Sequence, residues 1–230
     1  MILRLTFLLL FCALACSFTA AQERYVRPVD EAAKDASFLA FRTKLIAAVE
    51  RRDANYIIGM IDPQIKLSFG GDGGIADFKK MWKINAKNST FWDEFLRVIK
   101  NGGAFDGRGK NKYSSFIAPY TFSSWPEDID GFEYVAIFGS DVNLRETPSE
   151  KAKIVDKLSY NIVSPNNEES IKVKNGPGEN DWVYTWMKVK TLGGKSGFVE
   201  AQYVRSHIDY RAGFEKKRGV WKMNYFVAGD

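Results

Sequence analysis

The stretch that most constrains the fold runs from Asp141 to Val204. Val142 and Leu144 alternate with polar neighbours, as a half-buried strand requires. Thr147-Pro148-Ser149 is turn chemistry, because proline fixes its own φ and biases Thr147 towards an extended shape. Ile154, Val155 and Leu158 supply a second short apolar strand, and Trp186, Met187 and Val189 a third. Gly193-Gly194-Lys195 makes a tight hairpin into Gly197-Phe198-Val199, and Tyr203-Val204 closes the set. Short strands at this density, about five in sixty residues, predict a small β-barrel.

The order V-N-L-R, T-P-S, I-V and K-L, W-x-K-V, G-K-x-G-F-V and Y-V resembles the bacterial SH3 (SH3b) domain over residues 139–205. One departure is the polar insert Ser164–Asp181, where that family has a short turn before its W-x-K-V strand. The resemblance implies a non-catalytic binding module of the cell envelope, with peptidoglycan or an envelope protein as partner.

The start of the chain bears on compartment. Arg4, an apolar run from Leu5 to Ala15 and a Thr19-Ala20-Ala21 ending fit a secretory signal peptide over residues 1–21, cut before Gln22. The run is shorter than the roughly 20 residues a spanning helix needs, and no other stretch reaches that length, so no transmembrane span is expected. The reading is of an exported protein, periplasmic or secreted. Ala13-Leu14-Ala15-Cys16 loosely resembles a bacterial lipobox, so a lipid anchor at Cys16 competes with the preferred reading of a cysteine in a discarded signal. Cys12 and Cys16 are the two cysteines of the chain, so cleavage leaves no thiol, and stability then rests on apolar burial. The formal charge of +5 is mild for 230 residues and argues for solubility rather than a polyanionic partner. Export makes nucleic acid an improbable partner.

Residues 30–138 read as an α+β domain. Asp30 or a neighbour is expected to cap a helix running to about Arg52, with Phe38, Phe41, Leu45, Ile46 and Val49 on one face. A second short helix spans Ala54–Ile61 and stops at Asp62-Pro63. Ile65, Leu67 and Phe69 alternate as a strand, and Gly70–Gly74 forms a turn before a helix from Ile75 to about Ile84. Ser89 or Thr90 caps a helix over Phe91–Lys100. Tyr113–Phe122 reads as a strand, Ser123–Gly131 as a linker and Phe132–Phe138 as a strand.

The last residues, 206–230, bear on architecture. Ile208–Glu215 and Val220–Val227 alternate on either side of Lys216-Lys217-Arg218-Gly219, a hairpin. A lone hairpin is marginal in water, so this one must pack elsewhere. The helix, the D-P-x-I-x-L-x-F strand, the GGDGG turn with its following helix and the terminal R-G-x-W-K-M hairpin together resemble the NTF2-like (cystatin-like cone) family, over 30–138 and 206–230. On that resemblance the barrel is inserted before the last hairpin of a cone. The alternative is two domains in series with a C-terminal extension.

The chemistry is bounded mainly by what is missing. Cysteine–histidine and zinc wall hydrolases need a thiolate or several imidazoles, and the chain after residue 21 holds only His207. No catalytic residue, metal ligand set or cofactor is assigned. Asp62, Asp72, Asp77 and Asp106 could offer a carboxylate pair for acid–base work, but Asp62 precedes proline and Asp72 is flanked by glycines, both ordinary turn roles, and Gly70–Gly74 lacks the ending of a phosphate loop. The candidate ligand-binding set is aromatic: Tyr160, Trp182, Tyr184, Trp186 and Tyr203. Trp182, Tyr184 and Trp186 alternate and share a face if that piece is a strand, beside Lys172, Lys174 and Lys188, and Trp186 matches the W of W-x-K-V. Two functions follow. One is an exported, non-enzymatic binding or scaffold protein using the SH3b module. The other is an NTF2-like small-molecule-binding protein or enzyme carrying that module as an accessory, with a deep pocket in residues 30–138.

Overall fold

The computed structural model describes residues 22–107, 109–175 and 182–230. The signal-peptide reading, including the Cys16 anchor, lies outside the described residues. The architecture is mixed α+β, built from two sheets.

The first helix, α1 (Ala36–Glu50), begins at Asp35, whose carboxylate accepts from the Phe38 N–H at 2.8 Å. Asp30 does not cap it. A single 3-10 turn, Ala32–Lys34, intervenes, and Asp30 instead accepts a two-pronged bond from the Arg42 guanidinium at 2.6 and 2.8 Å. Asp53 caps α2 (Ala54–Met60) in the same way as Asp35, through the Tyr56 N–H. Then come β1 (Ile61–Lys66), α3 (Gly74–Trp82), α4 (Phe91–Ile99), β2 (Ala104–Phe105) and β3 (Ser115–Ala118). The strand expected over Tyr113–Phe122 is cut short at Pro119. Proline offers no ladder donor, the Tyr120 N–H turns to Asn101 O, and the chain winds into α5 (Tyr120–Ser123).

After α5 the chain forms β4 (Val135–Ile137), β5 (Val142–Arg145), β6 (Ile154–Leu158), β7 (Ile162–Lys174), β8 (Trp182–Thr191), β9 (Ser196–Glu200) and β10 (Val204–Ser206). It ends in β11 (Arg211–Lys217) and β12 (Val220–Val227). The five-stranded sheet has the order β1-β12-β11-β3-β2, so the chain leaves it after Ala118 and returns at Arg211. The seven-stranded sheet, β10-β4-β7-β8-β9-β5-β6, is curled and made entirely of the residues between. β4 therefore belongs with the strands that follow it, paired to β7 and β10, and not with the helical segment before it.

Helices α1 to α4 cover one face of the five-stranded sheet, and the interface is aromatic. Phe38 of α1 is fully buried, with ring centroids of Phe116, Trp221 and Phe214 at 4.1, 4.8 and 5.7 Å. Trp82 of α3 and Phe95 of α4 reach Phe226 of β12 at 5.1 and 5.2 Å. The curled sheet has its own smaller core, around Ile137, Leu144, Leu158, Val163, Val189 and Val199. A third, small cluster of Val26, Tyr120, Ala136 and Ile162 joins α5 to β4 and β7, so each sheet buries its own apolar face and a minor core lies beside them.

The β11–β12 turn is narrower than the four residues suggested by sequence. Lys217 pairs with Val220, leaving Arg218 and Gly219 as a two-residue loop with φ of +50° and +81°. Both positions lie in the left-handed region, the geometry of a type I′ turn, which favours asparagine over arginine at its first position. Arg218→Asn is expected to stabilise the protein by about 0.5 kcal/mol, read as a small rise in urea midpoint with an unchanged slope. A lower midpoint would contradict this account of the turn.

Candidate functional site

The site is built on the sheet face turned away from the helices. Phe214 and Phe226 point into the helical layer, so by alternation Gly213, Tyr225 and Val227 point the other way. Above that face the chain leaves β1, reverses through 67–74 and enters α3. The reversal is held by Ser68, whose hydroxyl donates to Asp72 at 2.9 Å and accepts from the Gly70 and Asp72 N–H groups. Gly71 and Gly74, with φ of +101° and +80°, supply the left-handed residues it needs. The loop cantilevers Phe69 outward, 59% exposed. Phe122 of α5 closes the opposite side. The result is a cavity of about 790 Å³, lined by Ile65, Phe69, Phe122, Arg211, Tyr225 and Val227 among others, in the size range of small-molecule sites.

Arg211 is the group that sets this cavity apart. It is the first residue of β11 and only 5% exposed. Its guanidinium lies 4.7 Å from the Phe122 ring centroid and 5.3 Å from that of Phe69, so aromatic rings flank it. It donates to two carbonyls, Ile208 O at 3.2 Å and Gly229 O at 2.9 Å, which ties the β10–β11 connection to the C-terminus. No carboxylate of the described residues pairs with it. Burial pushes its pKa below the ordinary arginine value, opposed by Tyr225 and Asp230. The other buried arginine shows the usual arrangement. Arg205, 2% exposed, has Glu94 at 3.5 Å and the Tyr210 carbonyl at 2.5 Å.

Tyr225 packs its ring over Gly213, where a Cβ would sit 2.0 Å from the ring. Burial raises its pKa, so its hydroxyl stays protonated, and it has no hydrogen-bond partner among the described residues. Lys66, Gln64, Ser68 and Asp72 complete the polar part of the wall. No imidazole or thiol lines it among the described residues, and Asp72 is occupied in its own loop. The neighbouring acids are structural as well: Asp62 holds the Gln64 N–H and Lys217, and Asp77 holds the Gly73 N–H. His207 stacks on Phe122 at 5.0 Å and lies tilted against Trp125 at 5.2 Å, and burial lowers its pKa. Such an arrangement suits binding and orientation of a ligand.

The aromatic set chosen from the sequence is distributed over two places. Trp182, Tyr184 and Trp186 are on β8, and the first two face Lys174 and Lys172 across the pair with β7. Lys172 Nζ lies 4.6 Å from the Tyr184 ring centroid, and Lys174 Nζ 6.0 Å from that of Trp182, which is 52% exposed. Trp186 pairs with Ile171 and Glu200 and is half-buried. Tyr160 and Tyr203 sit elsewhere, on either side of the Phe138–Gly139 backbone, which accepts from the Tyr160 N–H and donates to Tyr203 O. Tyr160 has φ of +60° and lines a smaller cleft with Tyr120 and Phe138. The five residues therefore do not converge on one pocket. The polar insert Ser164–Asp181 is mostly strand: β7 runs on to Lys174 and β8 starts at Trp182, a long hairpin whose residues 176–181 lie outside the described residues.

Arg211, Tyr225, Phe69 and Phe122 escaped the sequence reading. One signal was present, an arginine opening an otherwise apolar strand, Arg211-Ala212-Gly213-Phe214. No family model and no curated protein matches the chain. Among the described residues no helix is long and apolar enough to cross a membrane, and no group of three or more His, Cys, Asp or Glu residues is placed to hold a metal ion.

Proposed function

We propose that this protein binds a small molecule in the cavity between the 67–74 loop and the outer face of the five-stranded sheet. The observation that carries the reading is the cavity itself, about 790 Å³ with an apolar lining and a few polar groups converging from β1, β11 and β12. In this reading the helical layer and its sheet are an NTF2-like cone. The curled sheet is an SH3b barrel inserted before the last hairpin, and the protein is exported. The return of the chain to its first sheet at Arg211 supports the insertion. The test is titration with N-phenyl-1-naphthylamine, a neutral fluorophore that brightens when buried. Saturable one-to-one binding is expected, weakened about fivefold by Phe69→Ala, which trims an exposed side chain from the cavity wall. Absence of saturable binding, or binding indifferent to Phe69, would overturn the reading.

A second function is favoured by the β7–β8 hairpin, where exposed Trp182 is flanked by Lys174 and Tyr184 by Lys172. Aromatic faces beside ammonium groups suit stacking on a sugar ring or an extended peptide of the envelope. Co-sedimentation with peptidoglycan sacculi is expected to persist at high salt and to be lost in a Trp182→Ala, Tyr184→Ala double variant. Binding that disappears with modest salt in both forms would reduce it to net charge.

A further inference from the structure

We infer that the ligand of this cavity is an amphipathic anion: an apolar or aromatic body with a carboxylate head that docks on Arg211. The inference rests on the small-molecule reading above. It starts from a cost. A guanidinium taken out of water is expensive unless a charge or a full set of acceptors replaces the lost hydration. Arg211 has neither. Two of its five N–H groups reach carbonyls, and the other three have no partner among the described residues. Arg205, the more deeply buried of the two, has a carboxylate in Glu94 at 3.5 Å, the counter-ion that Arg211 lacks at that distance.

The surroundings say what is missing. Phe69 and Phe122 lie beside the guanidinium, so its remaining N–H groups are the polar contact it can still make, and a carboxylate is the acceptor that suits them. Tyr225, protonated and without a partner, offers a further donor from the same wall. Beyond these donors the apolar wall is Pro63, Phe69 and Val227, which suits a hydrocarbon or aromatic body. Lys66 adds positive charge, while Asp72 is tied to the Ser68 hydroxyl in its own loop. The same cavity is far larger than an inorganic ion, so the head group alone would leave its apolar wall uncovered.

The test uses two isosteric probes at neutral pH, 2-naphthoate and 2-naphthamide, each displacing N-phenyl-1-naphthylamine from the protein. The naphthoate is expected to bind at least about tenfold tighter than the amide, the increment of one charge-assisted hydrogen-bonded pair. Arg211→Met should remove that preference while retaining the amide. Arg211→Lys, which keeps the charge and loses the planar fork, should retain part of it. Urea midpoints of both variants guard against a folding defect, and the preference in the unaltered protein is a test that needs no variant. Equal binding of the two probes would overturn the anion inference and leave the cavity reading standing. Failure of every probe, the neutral fluorophore included, would overturn both.

Discussion

Phe38→Ala is expected to cost about 3–5 kcal/mol of stability, a large share of the roughly 5–15 kcal/mol that holds a typical domain. Phe38 is fully buried where α1 crosses the five-stranded sheet. Its ring contacts span sequence separations from Phe41 to Trp221, and also include Phe105, Phe116 and Phe214. Truncation removes the apolar area of one ring and strips partners from several others. Those neighbours are held by strand pairing and a helix, so they cannot collapse into the gap. Urea unfolding followed by tryptophan fluorescence checks it, since Trp221 lies 4.8 Å from the deleted ring. A midpoint drop at unchanged slope is expected. A loss below about 1 kcal/mol would show that the sheet and helix are held together elsewhere.

Gly213→Ala carries the second large effect, and it links fold to function. Gly213 is extended, so its backbone accepts any residue; the obstacle is space. An added Cβ would lie 2.0 Å from the Tyr225 ring and within 2.5 Å of two further ring atoms. The ring cannot retreat into the sheet, so it must swing into the cavity or carry β12 with it. Overpacking of this kind costs about 1–3 kcal/mol. More tellingly, it should weaken N-phenyl-1-naphthylamine binding by at least about tenfold, because Tyr225 would occupy ligand space. Unchanged probe affinity at reduced stability would mean that the Tyr225 face of the cavity is not where the probe sits.

Much of the local structure was legible in the sequence. Helices α3 and α4 and strand β12 fall within a residue or two of where periodicity and turn residues put them, because each has its own apolar repeat and its own stop signal. The misplaced boundaries have local causes. The cap of α1 moved from Asp30 to Asp35 because Asp30 is taken by Arg42, twelve residues away, a pairing that propensity does not register. The strand over Tyr113–Phe122 was overrun because its aromatic pattern continues past Pro119, where the ladder cannot.

The candidate sites divide in the same way. Trp182 and Tyr184 were readable as sharing a face because a strand fixes side-chain direction every second residue. Tyr160 and Tyr203 lie apart from them, Tyr160 in the bend before β7 and Tyr203 at the end of the 3-10 turn before β10.

The amino-acid sequence by itself determined the alternation of the strands, the helix faces and the presence of a terminal hairpin, since these depend on residues a few positions apart. Only the tertiary structure decided that β11 lies between β12 and β3, and that Phe69, Phe122, Arg211 and Tyr225 meet around one cavity. The first and last of those residues, Phe69 and Tyr225, are 156 positions apart in the chain. No local preference encodes such a meeting. It follows from how two sheets bury their apolar faces, and from which buried charge is left without a counter-ion once they have done so.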